Sequence, residues 1–121
     1  MVLELVTTRL ELAGYHTLSA RDGVAGLEVL RSCDPDAVIL DLNMPKLDGF
    51  GVLRILGESR SLKMPRVMVL TARRSNDDLH RCISLGAVDY LVKPFSDAVL
   101  LKRVARLVGQ QSGVRQPSAY I

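Results

Sequence analysis

The stretch from Ala37 to Gly49 most constrains what this chain can fold into. Four apolar residues, Ala37 to Leu40, lead directly into an acid, Asp41, and a Met-Pro turn and an Asp-Gly follow. A short apolar run with turn signals on both sides is typical of a strand that is buried on both faces, as in parallel sheets. Open α/β sheets hold their ligand sites at the carboxyl ends of the strands. Asp41 is therefore predicted to lie at a functional edge of the sheet.

Two later stretches also place a polar side chain at the end of an apolar strand. The run from Val67 closes on the hydroxyl of Thr71, and Tyr90-Leu-Val leads into Lys93 and a proline. An acid, a hydroxyl and an ammonium group at three strand ends suit the transfer of a phosphoryl group to a carboxylate.

Each of these side chains also has an ordinary structural interpretation. Asp41 alone would be a loop acid that caps the next helix, Thr71 a strand-end hydroxyl bonded to the backbone, and Lys93 a surface lysine. Their occurrence at the ends of three predicted strands favours a shared site over three separate coincidences.

Helical patterns separate the predicted strands. They cover residues 1–13, 22–31, 50–56, 77–85 and 97–108. Strands that alternate with helices predict an α/β fold, with a parallel sheet covered by helices on both faces. Residues 109–121 lose the periodicity and gain Gln, Ser, Gly and Pro, which is typical of a tail or linker. We therefore expect one domain over residues 1–108.

Composition excludes several other classes of protein. The chain has 121 residues, enough for one domain with a core, and no apolar run approaches the ~20 residues of a membrane span. It opens with no signal peptide, and its two cysteines lack metal-like spacing, so a cytoplasmic location is expected. The net charge of +3 is mild and the basic residues are scattered, so nucleic-acid binding by the chain itself is not expected.

The motifs Leu-Asp-Leu-Asn-Met-Pro, Leu-Thr-Ala and Val-Lys-Pro-Phe resemble those of the receiver domain of bacterial two-component response regulators. They occur in the family's order and spacing, and the resemblance covers residues 1–108. It implies a flavodoxin-like doubly wound sheet and a role in phosphorelay signalling. The partner would be a histidine kinase or a phosphotransfer protein.

The resemblance also implies roles for individual residues. Asp41 corresponds to the phosphoacceptor, and Lys93 and Thr71 to the residues that contact the phosphoryl oxygens. Tyr90 corresponds to the family's switch aromatic, and an ordinary amphipathic tyrosine at a sheet edge is an equally good interpretation of the sequence alone. Mg²⁺, the family's cofactor, would be held by Asp41 and the backbone carbonyl of Asn43. A cis peptide bond is implied between Lys93 and the proline after it.

The sequence departs from the family at its start. Receivers open with a strand that ends in two or three acids, whereas Met1 here already lies in the position of the first helix. We therefore expect four strands with five helices, weak Mg²⁺ binding and low stability, and a segment upstream of residue 1 in the natural protein. The flanking strands, Tyr15–Ala20 and Ala37–Leu42, would pair directly, or two copies would cover each other's open edges. A homodimer through the last helix and strand is a further alternative.

Two other functions stay open at this stage. The missing acids favour a pseudo-receiver that binds a protein partner without being phosphorylated. A strand-end Asp-x-Asn faintly resembles phosphatases of the haloacid dehalogenase type, but those need a longer chain with a cap, so no enzymatic turnover is expected. Nucleic acid would be bound only through an output domain beyond these residues.

Overall fold

Strands and helices alternate along the chain, as the sequence predicts. The computed structural model describes residues 2–43, 46–59, 65–72, 75–109 and 117–120. These residues form α1 (Val2–Leu12), β1 (His16–Ser19), α2 (Gly23–Ser32), β2 (Ala37–Leu40), α3 (Gly49–Glu58), β3 (Arg66–Thr71), α4 (Asn76–Ser84), β4 (Asp89–Val92), α5 (Asp97–Val108) and β5 (Pro117–Tyr120).

Short polar side chains fix where the helices begin. The Asp22 carboxylate accepts a hydrogen bond from the Ala25 amide at 2.8 Å, and the Asp48 carboxylate accepts one from the Gly51 amide at 2.9 Å. Ser75 and Ser96 cap α4 and α5 in the same way. These caps satisfy amides at the helix starts that have no partner within the helix.

All five strands of the sheet described here are parallel, in the order β1-β5-β2-β3-β4. In the register, Leu40 lies opposite Val69, and Thr71 lies opposite Val92. The carboxyl ends of β2, β3 and β4 therefore meet at one edge of the sheet.

The strand count corrects the expectation from sequence. A four-stranded sheet with β1 paired directly to β2 is wrong, because β5 lies between these two strands. β5 comes from residues 117–120, within the segment that the sequence analysis treated as a tail or linker. It therefore also occupies the gap through which two copies were expected to cover each other's edges. The expectation of five helices is confirmed.

The helices cover both faces of the sheet, as predicted. One hydrophobic cluster joins α2, α3 and α4 to one face of β2 and β3, and a second joins α1 and α5 to the opposite face. β2 contributes to both clusters and is buried at all four of its residues. Among the described helices, none has the length and apolarity that crossing a membrane requires.

The predicted dimer contact used the last helix and strand of the sequence pattern, which are α5 and β4, and two of their charged residues are engaged within the chain. A guanidinium nitrogen of Arg103 lies 2.7 Å from a carboxylate oxygen of Asp89, and this pair links α5 to β4. Both side chains are partly buried. The pair therefore joins two elements of one chain, and the dimer stays a prediction.

Replacing Leu53 by alanine is expected to lower the free energy of unfolding by about 2–5 kcal/mol, because deleting a buried leucine leaves a cavity. The Leu53 side chain is 0% exposed, whereas Leu12 is 76% exposed and provides a matched control. Leu12→Ala is expected to change stability by no more than about 0.5 kcal/mol. Urea unfolding followed by circular dichroism measures both values, and equal losses would contradict this description of the core.

Candidate functional site

The three predicted site residues lie at the ends of adjacent strands. Asp41 follows β2 directly, Thr71 is the last residue of β3, and Lys93 follows β4 directly. Because β2, β3 and β4 are parallel neighbours, their ends place these residues at one edge of the sheet. The position predicted from sequence is thus the position found.

Asp41 and Lys93 are in direct contact across the carboxyl edge. The Lys93 ammonium nitrogen lies 3.1 Å from Asp41 Oδ2, although the two residues are 52 positions apart in sequence. The Asp41 side chain is 25% exposed and the Lys93 side chain is 20% exposed. This partial exposure leaves the pair open to a ligand from solvent, while β2 and β4 fix the strand ends that carry it.

The backbone holds the second oxygen of the Asp41 carboxylate. The amide of Asn43 donates a hydrogen bond to Asp41 Oδ1 at 3.0 Å, so the carboxylate accepts from Asn43 on one oxygen and from Lys93 on the other. Both donors fix the orientation of the carboxylate, the group that would act as a nucleophile.

The loop after Asp41 closes through a close approach of two backbone segments. The Gly49 amide donates to the Leu42 carbonyl at 3.1 Å. A Cβ atom at Gly49 would lie only 2.6 Å from the backbone oxygen of Asp41, too close for any side chain. Asp48 and Gly49 are the Asp-Gly pair that follows the Met-Pro turn in the sequence. Asp48 caps the start of α3. Gly49 lets the start of α3 pack closely against the backbone of Asp41.

Thr71 joins the tips of β3 and β4. Its backbone carbonyl accepts a hydrogen bond from the Lys93 amide at 2.8 Å, and its side chain is the one buried polar side chain among the described residues. Ala72, the next residue, is small and exposed. The Lys93–Pro94 bond is cis, as the resemblance implies.

Tyr90 lies apart from the Asp41–Lys93 pair. It is partly buried, lies opposite Val69 in the register and packs against the hydrophobic cluster under α2, α3 and α4. Its role as a switch stays a prediction.

A contact that sequence reasoning missed links two loops at this edge. The Lys46 ammonium nitrogen lies 3.8 Å from Asp22 Oδ2, and Lys46 has a left-handed backbone with φ of 67°. Lys46 is in the loop after β2, and Asp22 follows β1. An isolated lysine beside a turn carries no sequence signal for such a contact.

The described residues supply only part of a magnesium site. They contain no group of three or more histidine, cysteine or acidic side chains able to hold a metal ion. At this edge, Asp41 offers a carboxylate and Asn43 a backbone carbonyl. Mg²⁺ requires octahedral coordination by oxygen, so these two groups do not make a complete protein site.

Comparison with known proteins identifies the architecture. A family model described as the response regulator receiver domain matches residues 1–105. The chain is 39% identical over 118 residues to the transcriptional regulatory protein PrrA of Mycobacterium tuberculosis, which covers 98% of this chain and 50% of that protein. It is 36% identical over 120 residues to the DNA-binding dual master transcriptional regulator RpaA of Synechocystis. That match covers 98% of this chain and 49% of RpaA.

Solved structures of receiver domains have a similar fold. The receiver domain of the Francisella response regulator 1452 matches with a TM-score of 0.83 and 30% identity, covering 92% of this chain and 90% of that one. The receiver domain of a sensor histidine kinase from Pseudomonas aeruginosa PAO1 matches with a TM-score of 0.79 and 27% identity, covering 88% of each chain. That structure has a magnesium ion coordinated in its active-site cleft.

The chain spans about half the length of the curated relatives it matches. The family match covers most of the chain, from residue 1 to residue 105. The arrangement of Asp41, Thr71 and Lys93 at adjacent strand ends is therefore found in a chain that belongs to the response regulator receiver domain family.

Proposed function

We propose that this receiver accepts a phosphoryl group on Asp41 from a phosphohistidine of a partner histidine kinase or phosphotransfer protein. The observation that carries the proposal is the partly exposed Asp41 carboxylate, which lies 3.1 Å from the Lys93 ammonium group. An ionised acid that is held by two donors and accessible to solvent has the properties of a phosphoryl acceptor.

The proposed step is an in-line displacement at phosphorus. An oxygen of the Asp41 carboxylate attacks, a new P–O bond forms, and the P–N bond to the donor imidazole breaks, with its electron pair leaving on the imidazole nitrogen. The product is an acyl phosphate on Asp41. Positioning and charge stabilisation supply most of the catalysis of such transfers.

Lys93 and Thr71 take the supporting roles in this proposal. Lys93 neutralises the carboxylate before transfer and then pairs with a phosphoryl oxygen, because its ammonium group is already in contact with Asp41. The Thr71 hydroxyl donates to another phosphoryl oxygen. Tyr90 then reports the modified state by changing its packing against the cluster under α2, α3 and α4.

Two relatives suggest what the signal controls. PrrA and RpaA are named as transcriptional regulators, and RpaA as a DNA-binding one. We propose that this receiver controls transcription through a DNA-binding output segment, as a signalling domain and not as an enzyme with a substrate of its own.

Acetyl phosphate, a small phosphoryl donor, tests the assignment of Asp41. Incubation with acetyl phosphate and excess Mg²⁺ is expected to add one phosphoryl group to the chain, because the partly exposed Asp41 carboxylate can reach a small donor from solvent. Asp41→Asn is expected to abolish the adduct, since the amide is a far weaker nucleophile. Intact-mass spectrometry measures the adduct.

Asp48→Asn provides the matched control, because Asp48 is a second acid near the site that caps α3. Asparagine is also a good helix cap, so this variant is expected to fold and to be labelled like the wild type. An adduct that survives Asp41→Asn, or no adduct on the wild-type chain, contradicts the proposal. The second result, with partner binding unchanged in Asp41→Asn, would favour the pseudo-receiver.

Magnesium is proposed to bind weakly, through the Asp41 carboxylate and the Asn43 carbonyl. A single carboxylate already paired with Lys93 provides little charge to attract a divalent cation. Titration with Mg²⁺, followed by the NMR shift of the Asn43 amide, is expected to show no saturation at micromolar concentration and no shift in Asp41→Asn. Saturation at micromolar Mg²⁺ would contradict the proposed donor set.

A further inference from the structure

The loop that follows β2 is anchored to the protein core by one apolar side chain, that of Leu47. This residue lies between Asp41, where the loop begins, and Gly49, where α3 begins. Leu47 is partly buried and packs against the hydrophobic cluster under α2, α3 and α4. The position of the loop beside the carboxyl edge therefore depends on where Leu47 is held.

Two glycines leave the space that Leu47 occupies. A Cβ atom at Gly23, the first residue of α2, would lie 2.8 Å from Leu47 Cβ and would also meet the Leu47 backbone oxygen. A Cβ atom at Gly51, in the first turn of α3, would lie 2.5 Å from Leu47 Cδ1. The contact with Gly23 is the stricter of the two, because a side-chain end can rotate away whereas a backbone segment must move as a whole.

A charge contact joins the same two segments. Asp22 caps α2 through Oδ1, which accepts a hydrogen bond from the Ala25 amide, and its Oδ2 lies 3.8 Å from the Lys46 ammonium nitrogen. The Lys46 side chain is 71% exposed, and ion pairs of this kind contribute little. The close packing of Leu47 against Gly23 is therefore the main constraint between the loop and α2.

The same loop carries the amide that holds the acid. The Asn43 amide donates to Asp41 Oδ1 at 3.0 Å. At the other end of the loop, the Gly49 amide donates to the Leu42 carbonyl, and the Gly49 position lies close against the Asp41 backbone oxygen. A displacement of Leu47 would act on both ends of the loop, and both ends contact Asp41 or its neighbour.

We propose that Leu47 is a positioning residue for phosphoryl transfer to Asp41. Its packing against Gly23 fixes the loop, and the Asn43 amide of that loop orients the carboxylate. The inference rests on the proposed function of Asp41 as the phosphoryl acceptor. It adds the first turn of α2 to the elements that prepare the acid, although α2 contributes no group to the three strand ends.

Gly23→Ala tests the packing directly, because the added methyl group displaces the Leu47 backbone. The NMR signal of the Asn43 amide is expected to shift in the unphosphorylated chain. Phosphoryl uptake from acetyl phosphate with excess Mg²⁺, followed by intact-mass spectrometry, is expected to slow at least about fivefold, because small misplacements of a reacting group are costly.

Gly57→Ala is the matched control for this variant. Gly57 also lies in a helix, but a Cβ atom there would lie 3.8 Å from the nearest atom, the Leu85 backbone oxygen, which is an ordinary contact. Gly57→Ala is therefore expected to leave the Asn43 signal and the rate of uptake unchanged.

A second set of variants separates positioning from a loss of stability. Leu47→Ala removes the anchoring side chain without a clash and is expected to shift the Asn43 signal and slow uptake, whereas Leu47→Met, of similar volume, is expected to restore both. Val104 is buried in the cluster on the opposite face of the sheet. Val104→Ala is expected to lower the urea midpoint without shifting the Asn43 signal.

Three results would decide against the proposal. An unchanged Asn43 signal in Leu47→Ala would show that the loop does not depend on this side chain, even if Gly23→Ala failed to fold. An equal shift in Val104→Ala would assign the effect to stability. A shifted signal with wild-type uptake would show that the loop does not position the acceptor.

The failure of the proposed function has a different signature. A wild-type chain that takes up no phosphoryl group would contradict the role of Asp41 as acceptor. The Asn43 signal would still shift in Leu47→Ala and return in Leu47→Met, because this readout follows the hydrogen bond to Asp41 Oδ1 without any phosphorylation.

Discussion

The position of Asp41 at the edge of the sheet depends on β2, which is paired on both sides and buried on both faces. β2 lies between β5 and β3, and each of its four residues is buried. Unpaired backbone groups at this depth would be costly, so the strand needs pairing partners on both sides, and it has β3 beside all four residues and β5 beside Val38 and Ile39. That requirement fixes the direction and position of the chain just before Asp41. The acid then emerges at the edge with its carboxylate held by Asn43 and Lys93.

Much of this arrangement follows from the sequence because parallel strands obey simple rules. The apolar run before Asp41 is too short for a helix of typical length, and the same holds for the runs that end at Thr71 and precede Lys93. Parallel alignment brings such ends to one edge, so their proximity is predictable without any side-chain geometry. The 3.1 Å contact between Asp41 and Lys93 depends on the register of the strands, which the pattern alone does not specify.

The strand that completes the sheet could not be predicted in the same way. Pro-Ser-Ala-Tyr has no apolar run and begins with a residue that is rare in strands, so local pattern favours a tail. Its strand conformation comes from backbone pairing with β1 and β2, which are distant in sequence. Gly49 was underestimated for a related reason. An Asp-Gly pair indicates a turn, whereas the need for glycine comes from the backbone of Asp41, which the fold brings within 2.6 Å of a Cβ position.

The site is therefore a property of the sheet more than of any one motif. Asp41, Thr71 and Lys93 come from three strands, and none of the three motifs positions its polar group without the neighbouring strand. An ion pair that is 25% and 20% exposed has too little energy to pull strands together, since such pairs contribute about 0–1 kcal/mol. Burial of the apolar residues in the two clusters must supply that energy, and the Asp41–Lys93 contact is a consequence of strand order. A change that alters strand order or spacing, even far from Asp41 in sequence, thus acts on the same edge as a change in the acid itself.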